Sequence, residues 1–88
     1  MNLSVEISMY PLQDDYITKI GEFLDDINRR ADNVEIRSCN MSTRLFGDYA
    51  DVTALLDQAM LRSMQQHGKI VFVCKYLQGD ARHLEGYD

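Results

Sequence analysis

Residues 34–47 read VEIRSCNMSTRLFG, and this stretch decides the fold. Val34, Ile36 and Ser38 alternate with Glu35, Arg37 and Cys39, the period of a strand with one buried face. Asn40-Met41 reads as the hairpin tip, and Ser42 to Gly47 as the returning strand. Two strands therefore follow one another directly in the middle of the chain. What flanks this hairpin settles the rest.

Upstream, Ala31-Asp32-Asn33 is a turn, and before it Ile17, Ile20, Phe23, Leu24 and Ile27 fall at helical spacing. Asp14 or Asp15 is placed to cap that helix, and Arg29-Arg30 suit its C-terminal dipole. Gly21 inside it costs about 1 kcal/mol against Ala, and its bare backbone would let the helix lie close to a sheet. Farther upstream, Leu3, Val5, Ile7 and Met9 alternate with Ser4, Glu6 and Ser8, a first strand that Tyr10-Pro11 ends. Downstream, Asp48 to Asp51 supply the start of a second helix. Val52, Leu55, Leu56, Ala59, Met60 and Ser63 or Met64 mark its apolar face, and His67-Gly68 ends it with a left-handed glycine. Ile70 to Cys74 is a continuous apolar run that continues through Lys75-Tyr76-Leu77. It reads as a strand buried on both faces and stopped by Gln78-Gly79-Asp80.

The order is βαββαβ. Right-handed crossovers then give a ferredoxin-like α+β fold, a four-stranded antiparallel sheet with two helices on one face. Residues 1–80 form this domain, and residues 81–88 lack periodicity and read as an irregular tail. The other face of the sheet has nothing to cover it. Val71 and Val73 are apolar on one side of the last strand while Ile70, Phe72 and Cys74 are apolar on the other. A homodimer or homotetramer through the sheet faces is the expected consequence.

A chain of 88 residues suits one domain, and at this length folding buries only about 60–65% of the surface exposed when unfolded. With 45% hydrophobic and 26% charged residues, the composition is that of a globular protein. The net charge of −5 argues against nucleic acid and against an anionic membrane surface, which need clustered Lys and Arg. It is compatible with a cationic small ligand, and equally with plain solubility. Cys39 and Cys74 stand far apart with no CxxC pattern, so they read as reduced thiols and not as zinc ligands. MNLSVEISMY lacks a basic start and no apolar run approaches about 18 residues, so a cytoplasmic location is expected. His67 and His83 are not placed beside either cysteine, and no spacing pairs two carboxylates. The expectation is a protein without catalytic residues, metal or cofactor.

Three stretches carry a resemblance: SVEISMYPLQDDY, NMSTRLFGDYADV and GKIVFVCKYLQGD. They resemble the thiamine-binding protein family, also called YkoF-like, over the chain up to about Asp80. Met41-Ser42-Thr43 followed by Gly47-Asp48 carries most of the likeness, and Tyr10-Pro11-Leu12 adds to it. The resemblance implies a domain that assembles through its sheets and binds thiamine or its hydroxymethylpyrimidine half, serving vitamin supply or sensing without catalysis. Some relatives carry two tandem copies of the domain. Here a homo-oligomer would supply what the second copy supplies.

Under that resemblance the candidate ligand-binding residues are Ser8, Tyr10, Ser42, Thr43, Asp48, Phe72 and Tyr76. Hydroxyls donate and accept, which suits the edge of an aminopyrimidine, yet Ser42 and Thr43 equally suit a hairpin. Tyr10, Phe72 and Phe46 can stack on a ring or simply cover the core. Asp14, Asp15 and Asp48 can meet a cation or cap a helix. Arg37, Arg44 and Lys75 can contact a phosphate or pair across the sheet. Tyr10 to Asp15 are expected beside Gly47-Asp48. Ser42-Thr43 is expected near the start of the first strand and the end of the fourth, with Phe72, Cys74 and Tyr76 as the final-strand side chains. The alternative to a ligand-binding module is a homo-oligomeric structural or regulatory domain without a small ligand.

Overall fold

The computed structural model describes residues 1–84. Its elements run β1 (Asn2–Pro11), α1 (Tyr16–Arg30), β2 (Val34–Ser38), β3 (Thr43–Asp48), α2 (Tyr49–His67) and β4 (Ile70–Gln78), followed by a single 3₁₀ turn at Ala81–His83. The four strands form one antiparallel sheet in the order β2-β3-β1-β4, the ferredoxin-like arrangement. The two-residue tip at Asn40-Met41 closes the central hairpin, with the Cys39 N–H donating to the Ser42 carbonyl at 2.9 Å.

Alternation decides which side chains meet the helices. Leu3, Val5 and Ile7 of β1 lie in register with Gly47, Leu45 and Thr43 of β3 and with Gln78, Tyr76 and Cys74 of β4, all on the helix face. Phe23 and Ile27 of α1 and Val52, Leu56 and Ala59 of α2 close over them, and every one of these helical residues is buried. Gly47 is needed where β3 passes the α1–β2 turn, because a Cβ there would meet the Asn33 carbonyl oxygen at 2.9 Å.

Several sequence expectations are corrected. Ile17 is 72% exposed, because every residue from Leu12 to Thr18 is exposed and the first turn of α1 lies beyond the core. Asp15 precedes α1 in a left-handed conformation (φ 66°) and its side chain makes no capping bond. A Cβ on Gly21 would meet open space, so this glycine does not bring α1 close to the sheet. Gly68 has a positive φ (84°) but a ψ of −134°, outside the left-handed helical region. The fourth strand is not buried on both faces: it is a sheet edge, and Val71 and Val73 are 44% and 49% exposed on the face without helices. The start of the segment read as an irregular tail is ordered by specific bonds. Ser4 donates to the Gly79 carbonyl and accepts from the Ala81 N–H, each at 2.9 Å. Residues 85–88 of that segment lie outside the described residues.

Candidate ligand-binding cleft

The central hairpin and α1 enclose a cleft of about 110 Å³ at the end of β1. Ile20, Phe23 and Leu24 of α1 form its apolar wall; Ser8, Ser42 and Thr43 also line it, Thr43 from the helix face and Ser8 and Ser42 from strand positions that alternate toward the other face. Antiparallel register explains the meeting, since Thr43 at the start of β3 pairs with Ile7 near the end of β1. Thr43 is buried, and its hydroxyl shares a hydrogen bond with that of Ser38 at 3.2 Å. Ser42 donates to Glu6 Oε2 at 3.0 Å, and Ser8 donates to the Met41 carbonyl at 3.4 Å. Cys39 stands at the rim, its Sγ 3.2 Å from the Ser42 carbonyl and 3.7 Å from the Ser42 hydroxyl. A backbone hydrogen bond from Met41 holds this thiol below its ordinary pKa, with the Ser42 hydroxyl adding to the effect.

The same register overturns the expected neighbourhoods. Asn2 pairs with Asp48, so Gly47-Asp48 lies at the start of β1, the opposite end from Tyr10 to Asp15. Ser42-Thr43 accordingly lies beside the end of β1 and, across β1, level with the Phe72–Cys74 part of β4, not with the start of β1 and the end of β4. Two strands that run antiparallel exchange their ends, and the expected placement treated β1 and β3 as parallel.

Of the seven candidate residues, Ser8, Ser42 and Thr43 line the cleft. Phe72 stands behind it, its ring 5.2 Å from that of Phe23 at a 45° tilt. Tyr10 lies on the helix-free face opposite Val71 and is 53% exposed. Asp48 caps α2 by accepting from the Ala50 N–H at 3.3 Å and from the Met1 amine at 3.1 Å. Tyr76 pairs with Val5 far from the cleft, where burial raises its pKa and Cys74, Asp57 and Tyr49 push the same way.

Of the residues that carry the resemblance, Met41, Ser42 and Thr43 line the cleft, while Gly47-Asp48 and Tyr10 to Leu12 lie outside it. A sequence profile shared by known proteins covers almost the whole chain: that of the YKOF-related family matches residues 2–83. The chain belongs to the YKOF-related family. No curated protein matches it. Among solved structures, a Streptococcus pneumoniae protein superposes with a TM-score of 0.81 at 18% identity, covering 91% of this chain and 89% of its own. A Thermotoga maritima protein, named provisionally for thiamine biosynthesis or salvage, superposes with a TM-score of 0.77 at 12% identity, covering 90% and 85%. A Bacillus cereus domain of unknown function gives 0.74 at 12% identity, covering 92% and 79%. At such identities these likenesses concern the fold.

Two further features of this YKOF-related chain escape sequence reading. Between the helices, Asp26 accepts from Arg30 Nε at 2.6 Å and from Arg62 Nε at 2.8 Å, beside a Glu22–His67 contact of 2.7 Å. Burial pushes the Asp26 carboxyl up, but Arg62 and Arg30 together outweigh it and hold it below its ordinary value. These partners are 36 residues apart for Arg62, so no local pattern announces them. On the helix-free face, Arg37 and Arg82 lie over the Phe46 ring at 5.3 and 5.6 Å and leave it 3% exposed. Beside them a depression of about 260 Å³ gathers Glu6, Arg44, Lys75, Leu77 and Leu84. Among the described residues, no cluster of three or more His, Cys, Asp or Glu could hold a metal ion. No helix there is long and apolar enough to cross a membrane.

Proposed function

We propose that the protein binds thiamine, or the hydroxymethylpyrimidine that forms half of it, in the cleft between α1 and the hairpin, without catalysing a reaction. The observation that carries this reading is the small cavity beneath α1, whose apolar wall closes over the buried Thr43, with Ser8 and Ser42 at its edge. A cavity of about 150 Å³ is enough to take a benzene ring. At about 110 Å³ the cleft is smaller than that, so a heteroaromatic ring would seat only partly, with the rest of the ligand in the open mouth. The Thr43 hydroxyl and the Met41 carbonyl, which bond to Ser38 and Ser8, have the donor and acceptor chemistry that an aminopyrimidine edge needs if the ligand exchanges those bonds for its own. Family membership and the name of the Thermotoga maritima neighbour support the same ligand class.

The test is a thermal shift with thiamine, hydroxymethylpyrimidine and thiamine diphosphate. Ligand at a hundredfold excess over Kd adds about 2.7 kcal/mol to the native state. In a domain of this size that raises Tm by roughly 10–20 °C. The shift should shrink in Thr43→Val, which removes a cleft hydroxyl at nearly constant shape. No shift with any of the three compounds rejects the reading.

A second reading has its own support. Tyr10, Val71, Val73 and Leu77 are each 44–53% exposed on the helix-free face. A homo-oligomeric assembly domain would use that face and need no ligand. Sedimentation as a monomer at high concentration rejects it.

A further inference from the structure

Glu22 meets Gln66 and His67 across the helix interface, and Asp26, one turn farther along α1, meets Arg62, one turn back along α2. The two helices therefore run antiparallel, and each presents residues four apart to the other. A cavity of about 310 Å³ opens between them over the buried Phe23 and Ser63. Three arginines line it, Arg29, Arg30 and Arg62. A second depression, of about 510 Å³, adjoins it, and Arg30 and Arg62 line both.

Asp26 sets two of these arginines in place. Its Oδ1 accepts from Arg30 Nε, and its Oδ2 accepts from Arg62 Nε. A guanidinium that has a carboxylate to itself often binds it with two nitrogens at once. Here one carboxylate is shared, so each arginine meets it through Nε and keeps its Nη groups for something else. Arg62 Nη2 is buried and has no hydrogen-bond partner among the described residues, although the side chain as a whole is 32% exposed. A charged donor left bare in that way costs free energy, which an acceptor would recover. The charge around it is unbalanced too. Asp26 brings one negative charge against two guanidiniums, and Arg29 adds another cation. The other carboxylates of the cavity are Glu22, engaged by His67 and Gln66, and Asp25, which is exposed. The positive excess therefore sits at the arginine end.

We propose that the groove between α1 and α2 binds a phosphate group, free or as a monoester, between Arg62 and Arg30, with Arg29 beside it. The planar fork of N–H donors on a guanidinium matches phosphate oxygens two at a time. A phosphate oxygen gives Arg62 Nη2 its acceptor, and the anion offsets the charge that Asp26 leaves uncompensated. There is room for more than the anion, since a cavity of about 150 Å³ already takes a benzene ring. The groove shares Phe23 as a wall with the cleft at the hairpin and no polar side chain, so the proposal stands apart from what that cleft binds.

The test titrates the full chain with inorganic phosphate and with phenyl phosphate at constant ionic strength, with chloride as the reference anion. The Nε–H signals of Arg30 and Arg62 in a proton–nitrogen correlation spectrum are the readout. Both should move and saturate, and the melting temperature should rise over the same range of concentration. Earlier saturation with phenyl phosphate identifies a monoester as the ligand, and equal saturation identifies free phosphate; each supports the site. Arg62→Lys keeps the charge and loses the fork, and should raise the half-saturation concentration about tenfold. Where that variant melts too low to be measured, Arg30→Lys, at a side chain that is 52% exposed, makes the same comparison. Lys69→Gln, an exposed cation outside the groove, should change nothing. Signals that stay still, or that drift as they do in chloride, overturn the proposal, and Arg62 Nη2 then bonds water only. Saturation that neither arginine variant weakens overturns it as well, because the phosphate then binds elsewhere.

Discussion

Leu45 and Phe46 are neighbours in β3 and point to opposite faces of one sheet. Leu45 faces the helices and is fully buried among Val5, Ile27, Val52 and Leu56. Phe46 is almost as well covered, at 3% exposure, but by two guanidinium groups and the turn that follows β4. One burial comes from close-packed apolar side chains. The other comes from long, charged side chains laid over a ring on a face that elsewhere stays open. Equal exposure does not mean equal energy, because a cover of mobile side chains can collapse into a gap that a packed core cannot.

The largest expected effect follows from that pair. Leu45→Ala should destabilise the protein by about 3–4 kcal/mol, within the usual range for a buried leucine. Phe46→Ala should cost less, about 2 kcal/mol, although it removes the larger side chain. Urea denaturation of both variants checks the order. A Phe46→Ala cost equal to or above that of Leu45→Ala would mean the covered end of the helix-free face is a second core.

The helix face was legible in the sequence and the cover of the helix-free face was not. Period two in β1 and β2–β3, and helical spacing in α2, mark the same residues that the structure buries against the helices. Those signals are local, and each strand carries its own. Arg82 reaches Glu35 from 47 residues away, and Ser4 reaches Ala81 across 77. Nothing in the spacing of Asp80, Arg82 or Ser4 reports such contacts. The cleft was legible in part. Ser42 and Thr43 stood out by residue type, but their neighbours depend on strand direction, and that was assigned wrongly. Asp48 and Tyr76 fell away from the cleft for the same reason.

Acid should act on both faces through aspartates that cations hold low. Arg82 donates to Asp80 from its side chain and backbone and keeps that carboxyl far below its ordinary range. Asp26 between the helices is lowered by Arg62 and Arg30 against the effect of burial. A carboxyl whose folded pKa is depressed contributes stability that is complete above its unfolded value, about 4, and is lost as pH falls through the folded one. Stability should therefore hold from neutral pH to about pH 4 and decline below it. Arg62→Gln and Arg82→Gln should each flatten that decline and lower Tm at neutral pH by a few degrees or less, since the pairs are partly solvated. Thermal melts from pH 2 to pH 7 check this. If Arg82→Gln alone flattens the profile, the tail turn outweighs the helix pair in acid sensitivity.

The smallest effect on stability should come from Val73. It stands on the helix-free face opposite Ser8 and is 49% exposed, while Phe72 and Cys74 on either side turn toward the helices. A charge there stays in water, and Val73→Glu also gains Lys75, two residues on along the same face. Its stability in dilute solution should change by no more than about 0.5 kcal/mol. Its association should change far more if the open face is a contact, because each copy would bring an unpaired carboxylate into an apolar interface. Sedimentation of the variant then tests the face. Loss of a step of assembly assigns that step to the helix-free face. Unaltered sedimentation would mean that the open face stays in water, and that the contrast between Leu45 and Phe46 is one between a core and a surface.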